Sequence, residues 1–226
     1  TLDLIRKLMN DPELEQFFLV GGTALSLKIG HRISIDIDLF SIQNFAPKIL
    51  QDHLLWNYGS NLKVIGTGAL MGLIDGVKVD FITHPYPNIR PIENIEGIRM
   101  ASLQDIAAMK LNAIVGSGER IKDFVDLYYL LEKLNYSEML NHYYQKYPNV
   151  TIDMANRSVA YHHQINMEIP IDLIDGKLQW QKVADKLINT SSQFGTEAEN
   201  ERNIYSGLKL KHNKEDDMGK DHGISR

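Results

Sequence analysis

The stretch FFLVGGTALSLKIGHRISIDIDLF, residues 17–40, constrains this chain more than any other. An apolar run ends in two glycines, and thirteen residues after Gly22 an alternating segment sets Asp36 and Asp38 one residue apart. Alternation in period two predicts a strand over 35–40. Its Ile and Leu side chains then share one face and the two aspartates the other, about 6 to 7 Å apart. Two bare carboxylates aimed at one point repel, and burying them without a partner costs several kcal/mol. A hard divalent cation resolves both problems, because Mg²⁺ takes oxygen ligands from one or two carboxylates plus substrate phosphates. Asp80, alone among β-formers in VKVDFI, is the candidate third acid for a site holding two such ions.

The glycines fit the same chemistry. A strand, a Gly-Gly turn and a helix start offer backbone N–H groups to anionic oxygens. A residue without Cβ lets a triphosphate come close. Gly21 and Gly22 are therefore candidate phosphate-binding residues, and Thr23 adds a hydroxyl. Neither a Gly-Gly turn nor a D-x-D pair means much alone, since turns and exposed strands carry both. The spacing between them carries the inference. Arg32, between cradle and acids, is placed to touch a phosphate; read blandly, His31-Arg32 is a surface loop.

Around this stretch, Leu2 to Leu8 predict a short helix, and NDPELEQ a second with Asp11 as N-cap and Pro12 at its first position. FFLV reads as a buried strand, TALSLKIG as a helix closed by Gly30, and 46–58 as a helix. LKVIGTG, ALMGLIDG and VKVDFITHP are three strand-like runs, the last two forming a hairpin turned at Asp75-Gly76. From Ser102, a predicted cap, the pattern becomes helical: LQDIAAMKLNAIV, ERIKDFVDLYYLLEKL, 137–146, 151–166 and 178–188. The fold class expected is α+β, a mixed sheet flanked by helices over 1–100 and a helical domain over 101–194, followed by a polar tail over 195–226.

A hydrophobic fraction of 43% and a charged fraction of 23% are those of a globular domain. The net charge of −5 gives no general attraction to nucleic acid or an anionic membrane, so any RNA contact must come from a local patch or bound metal. With no cysteine there is neither a disulfide framework nor a thiolate metal site. No apolar run reaches the ~18 residues of a membrane helix, and no secretory signal pattern is visible. The expected setting is cytoplasmic.

VGGTALSLKIGHRISIDIDLF resembles the first motif of the DNA polymerase β-like nucleotidyltransferase superfamily: apolar residues, Gly-Gly, a spacer and Asp-x-Asp. More narrowly, the chain is similar to the AbiEii/AbiGii-type nucleotidyltransferase toxins of bacteria. Those also carry a later strand aspartate, here Asp80. A Ser-Leu-x-Asp helix start with a lysine matches SLQDIAAMKL, with Asp105 and Lys110. An Arg-x-Lys-Asp-x-x-Asp-Leu motif matches RIKDFVDL, with Arg120, Lys122, Asp123 and Asp126. The resemblance spans residues 19–127 and fades beyond 150. It implies a nucleotidyltransferase-like sheet, two Mg²⁺ (or Mn²⁺) ions on Asp36, Asp38 and Asp80, triphosphate at Gly22 and Thr23, and Lys110 on the nucleotide phosphates. The reaction implied is transfer of a nucleoside monophosphate from an NTP to a hydroxyl, with tRNA 3′ ends or other RNA as acceptor and an antitoxin protein as partner. A protein hydroxyl as acceptor and a non-catalytic nucleotide-binding module are the alternatives.

From the residues themselves, Lys110 stands at the rim of a buried helix face, where it either reaches an anion or snorkels to solvent. Arg120, Asp123 and Asp126 recur on one helix side and point to an internal ion-pair set; Arg120 and Lys122 are also candidates for nucleotide or acceptor contacts. GSGE (116–119) lacks the Lys-Ser/Thr of a P-loop and reads as a turn, adjacent His162 and His163 diverge on a helix, and NHYYQKYPN reads as packing.

Overall fold

The computed structural model describes residues 1–198 except Asp175 and Lys177. Most of the expected polar tail, 199–226, lies outside the described residues. Helix α1 (Leu2–Met9) turns Leu4, Ile5, Leu8 and Met9 inward. A helix was expected next, but Pro12–Leu14 makes only a 3-10 turn; Asp11 does cap it, accepting from the Glu13 N–H at 3.0 Å. Phe17, fully buried, has to enter the core directly afterwards, which leaves no room for further turns.

Seven strands follow: β1 (Phe18–Val20), β2 (Ile37–Ser41), β3 (Asn61–Val64), β4 (Ala69–Ile74), β5 (Val77–Thr83), β6 (Glu93–Ile95) and β7 (Ile98–Met100). They form one mixed sheet in the order β3-β4-β5-β2-β1-β7-β6. The Asp75-Gly76 hairpin is present, both residues at positive φ, +50° and +75°. The β6–β7 hairpin, turned at Glu96-Gly97, was not anticipated. Its Arg99 donates to the carbonyls of Met9, Leu14 and Phe17 and so fastens the chain's first segment to the sheet.

Between β1 and β2 runs α2 (Gly21–Ile29), ended by Gly30 at φ +63°. Helix α3 (Pro47–Tyr58) packs on β3 and β4. The helical half comprises α4 (Leu103–Gly116), α5 (Ile121–Leu130), α6 (Tyr136–Lys146), α7 (Ile152–Ala160), shorter than expected, and a helix over 180–198, longer than expected. Residues 195–198 thus continue that helix rather than starting the tail. Ser102 caps α4 as predicted, accepting from the Asp105 N–H at 3.0 Å. Helix α4 carries the packing of this half, touching α2, α5, α6 and α7 around a core that includes Ile106, Leu111, Phe124 and Leu140.

Candidate active site

The polar face of the sheet is set by strand register. β2 and β5 are parallel neighbours, with Asp38 opposite Asp80 and Phe40 opposite Ile82. Side chains two residues apart share a face. Asp38 and Phe40 of β2 therefore stand beside Lys78, Asp80 and Ile82 of β5. Asp36 is one residue outside the strand rather than within it, because β2 begins at Ile37. It still lines the same cavity, about 360 Å³, as Asp38, Asp80, Gly21, Gly22 and Lys110. A wider groove of about 880 Å³ lies between α1 and α3; of its acids Asp11, Glu13 and Asp75, the least exposed one, Asp11, is already held by His53 and Tyr58 at 2.7 Å each.

In the smaller cavity Asp123 is likewise held, by Lys110 at 2.7 Å, but Asp38 and Asp80 are less fully compensated. Asp80 is buried; Oδ2 accepts from Lys78 Nζ at 2.6 Å and Oδ1 has no hydrogen-bond partner among the described residues. Burial, and then the charge of Asp80, push the Asp38 carboxyl above its ordinary value. Among the described residues no three His, Asp or Glu side chains are gathered into a ready metal cage. A buried orphan oxygen beside a carboxylate short of positive charge nonetheless fits a hard cation that arrives with phosphate oxygens of its own.

Each glycine has a specific steric reason. Gly21, at φ +68°, begins α2, and a Cβ there would lie 2.3 Å from Asp38 Oδ2; a Cβ on Gly22 would lie 2.1 Å from Arg32 Nη2. The missing side chains make room for the protein's own Asp38 and Arg32. No side chain caps α2, whose N-terminus opens on the cavity.

Three expected nucleotide contacts are placed differently. Thr23 is off the cavity wall: its hydroxyl donates to the Asp36 carbonyl and lies 3.0 Å from Ser34 Oγ, fixing the approach to β2. Arg32 is buried and grips Asp126 with two hydrogen bonds, Nε at 2.7 Å and Nη2 at 3.0 Å, which leaves its fork no approach to a phosphate. Lys122 does not line the cavity. Lys110 and Arg120 do. Lys110, however, already bonds Asp126 Oδ2 at 2.6 Å and Asp123 Oδ1 at 2.7 Å. Its burial lowers the ammonium pKa, but the charges of Asp126 and Asp123 outweigh that and hold it above the usual value. His31 completes this set, with Nε2 2.7 Å from Asp126 Oδ1. Burial pushes Asp126 up, yet Lys110, His31 and Arg32 together pull it well below the carboxylate range. Asp105 is likewise structural. It accepts from Lys146, Ser102 and the Ile89 and Arg90 N–H groups, tying the loop after β5 to α4 and α6.

The far end of the cavity, which the sequence reading passed over, is aromatic. His84 packs against Phe40 and Tyr147 with ring centroids 5.1 and 5.7 Å away. Burial and then the charge of Lys146 pull His84 down to about 4, so it presents a neutral imidazole at ordinary pH. The signal was available: Phe40 follows Asp38, and Ile82 and His84 follow Asp80, at spacing two on the same face.

Comparison with known proteins identifies the family and the fold. The family model described as nucleotidyl transferase AbiEii toxin, Type IV TA system, matches residues 3–55 and 53–200. An uncharacterized protein of Aquifex aeolicus is 32% identical over 181 residues, 75% of this chain and 83% of that one. In fold, the chain is similar to JHP933 from Helicobacter pylori, at TM-score 0.52 and 16% identity over 91% of this chain and 93% of that one. It is also similar to a second H. pylori structure described as a nucleotidyltransferase, at TM-score 0.54 and 17% identity over 87% and 92%. No helix among the described residues is long and apolar enough to cross a membrane.

Proposed function

Starting from the fact that the chain belongs to the AbiEii nucleotidyl transferase toxin family and is a nucleotidyltransferase, we propose that Asp36, Asp38 and Asp80 are its catalytic acids and that RNA, most specifically a tRNA 3′ end, is its acceptor. The observation that carries the assignment of the acids is the pairing of Asp38 with Asp80 across β2 and β5, under the N-terminus of α2, in a cavity that leaves a buried Asp80 oxygen without a partner among the described residues.

Mg²⁺ held by these three carboxylates would neutralise the triphosphate and activate the acceptor hydroxyl. The chain's own residues do the rest by position and charge. The uncapped start of α2 at Gly21 and Gly22 turns its N–H groups and the positive end of its dipole toward phosphate oxygens. Arg120, largely exposed in the cavity lining, offers its guanidinium to the same anion. Lys110 adds positive potential while anchored to Asp123 and Asp126. The aromatic end, with a neutral His84, suits a flat uncharged group such as a nucleobase. A bulk charge of −5 argues for narrow recognition of an RNA end rather than broad RNA binding.

The test is the destination of label. Incubation with each NTP labelled at the α-phosphate, with Mg²⁺ and either total tRNA or total protein, should place label in RNA. Label in protein alone would replace the acceptor. Binding of NTP with no transfer to either would remove the catalytic reading.

A further inference from the structure

The acids of the cavity already have a cation among them, and it belongs to the protein. Lys78 precedes Asp80 by two residues on β5, so both leave the same face of the sheet, and Lys78 Nζ donates to Asp80 Oδ2 at 2.6 Å. This ion pair differs in kind from the others nearby. The side chain of Lys78 is 52% exposed, whereas Lys110 is 7% exposed and Lys146 1%. The cross-strand neighbour of Lys78 is Leu73, itself exposed, so its way out to solvent is open. A half-exposed lysine on a flexible stem holds its partner weakly, because it trades little hydration for the contact. Lys110 and Lys146 are enclosed and cannot leave. Burial lowers the Lys78 ammonium pKa, but the hydrogen bond to Asp80 and the charges of Asp80, Asp38 and Asp36 hold it above the usual lysine value.

We propose that Lys78 is a displaceable counter-ion: it occupies Asp80 in the free chain and must let go when a divalent cation binds there. The inference rests on the reading of Asp36, Asp38 and Asp80 as metal-holding residues. Two consequences follow. A divalent cation alone binds weakly, since it has to expel a lysine and then share the cavity with it. A nucleotide triphosphate relieves that conflict, because its oxygens give the released ammonium a new anionic partner. Metal and nucleotide therefore bind cooperatively, each raising the affinity of the other by the same factor. Lys78 acts here as a positioning residue that makes the cavity's charge balance depend on substrate.

The experiment measures Mn²⁺ binding directly, from the electron paramagnetic resonance signal of the free ion. Wild-type chain, Lys78→Met and Lys78→Arg are compared with and without a non-hydrolysable NTP analogue. Without nucleotide, Lys78→Met should bind Mn²⁺ about tenfold or more tightly than wild type, while Lys78→Arg stays close to wild type because the charge is kept. With the analogue, the gain in Mn²⁺ affinity should be smaller in Lys78→Met. Equal Mn²⁺ affinities for wild type and Lys78→Met would overturn the proposal and leave the metal-holding acids standing. Mn²⁺ binding to none of the chains, with or without analogue, would overturn both. Thermal unfolding supplies an independent readout. Lys78→Met should melt below wild type in a chelator, and Mn²⁺ should close that gap; a gap that Mn²⁺ leaves unchanged counts against displacement. Lys78→Gln serves the same comparisons if Lys78→Met does not give folded chain.

Discussion

Two groups of aspartates stand a few side chains apart, and the chain treats them in opposite ways. Asp126 is fully buried, yet both oxygens are engaged, by His31 and Arg32 on one and by Arg32 and Lys110 on the other. Its carboxyl is driven far toward the charged form. Asp38 and Asp80 face each other across two strands with one half-exposed lysine between three acids, and the Asp38 carboxyl is driven toward the neutral form. The same residue type in the same small volume is thus saturated in one place and starved of positive charge in the other. Saturated carboxylates brace the α5 helix against the segment that leads into β2. Starved ones cost stability, and under the proposed function a divalent cation and its phosphate oxygens complete them. Lys110, with its ammonium on the saturated side and its position on the cavity wall, joins the two.

The largest expected effect tests the starved side. Asp80→Ala, and separately Asp38→Ala, should lower nucleotide transfer about a thousandfold or more, since the lost charge stabilisation is worth several kcal/mol. Stability measured by chemical denaturation should fall by no more than about 1 kcal/mol, because relief of like-charge repulsion offsets the lost contacts. The sign is clear for Asp38. A carboxyl with a raised folded pKa makes the native state bind more protons, so stability declines as pH rises through the window above the ordinary value of 3.8. Asp38→Asn should remove that decline. A large loss of stability in either alanine variant would break the comparison, since the acids would then be structural.

The saturated side comes next. Asp126→Asn leaves three buried cationic or polar groups facing a neutral amide and should cost about 3–5 kcal/mol of stability. Here the linkage runs the other way. The lowered carboxyl contributes stability that is complete above the ordinary value of 3.8 and is lost as pH falls below it toward the folded pKa. Wild type should therefore lose stability steeply in acid, and Asp126→Asn should show a shallower acid limb. Equal limbs would mean that this cluster is not what the low pKa implies.

How much of this could be read in the sequence depends on distance along the chain. The Asp75-Gly76 hairpin was legible because an Asp-Gly pair between alternating runs specifies its turn locally. The β6–β7 hairpin uses Glu96 at φ +50° before Gly97, and three-residue strands are too short to show a period, so no local signal stood out. Asp38 and Asp80 could be nominated from their apolar flanks, although their opposition is a fact of register. Arg32 was read as a phosphate contact because its true partner, Asp126, is 94 residues away. Gly22 was legible as a place without Cβ, but not for its own reason, the guanidinium of Arg32. Lys78 was visible as a partner of Asp80, though not as the cation that three acids share.

The smallest expected effect sits at the boundary of the two groups. Arg120 occupies the N-cap position of α5 without a side-chain cap bond and leans on Asp123, but its Nε is 3.7 Å from Oδ2 and its side chain is 64% exposed against 4% for Asp123. Lys110 already satisfies Asp123 at 2.7 Å, so the structural share of Arg120 is small. Arg120→Ala should change stability by less than about 0.5 kcal/mol. If the guanidinium belongs to the starved side, its use is to meet an anion that enters the cavity. The KM for nucleotide should then rise several-fold while kcat changes little, the pattern of a contact made equally in ground and transition states. Lys78 adds a check, since both cations would face the same incoming triphosphate. The combined Lys78→Met, Arg120→Ala variant should then weaken nucleotide binding by more than the product of the single effects. Strict additivity would mean that the two cations act independently, and an unchanged KM in Arg120→Ala would place Arg120 with the saturated group, as a solvated residue at the start of α5 that never touches substrate.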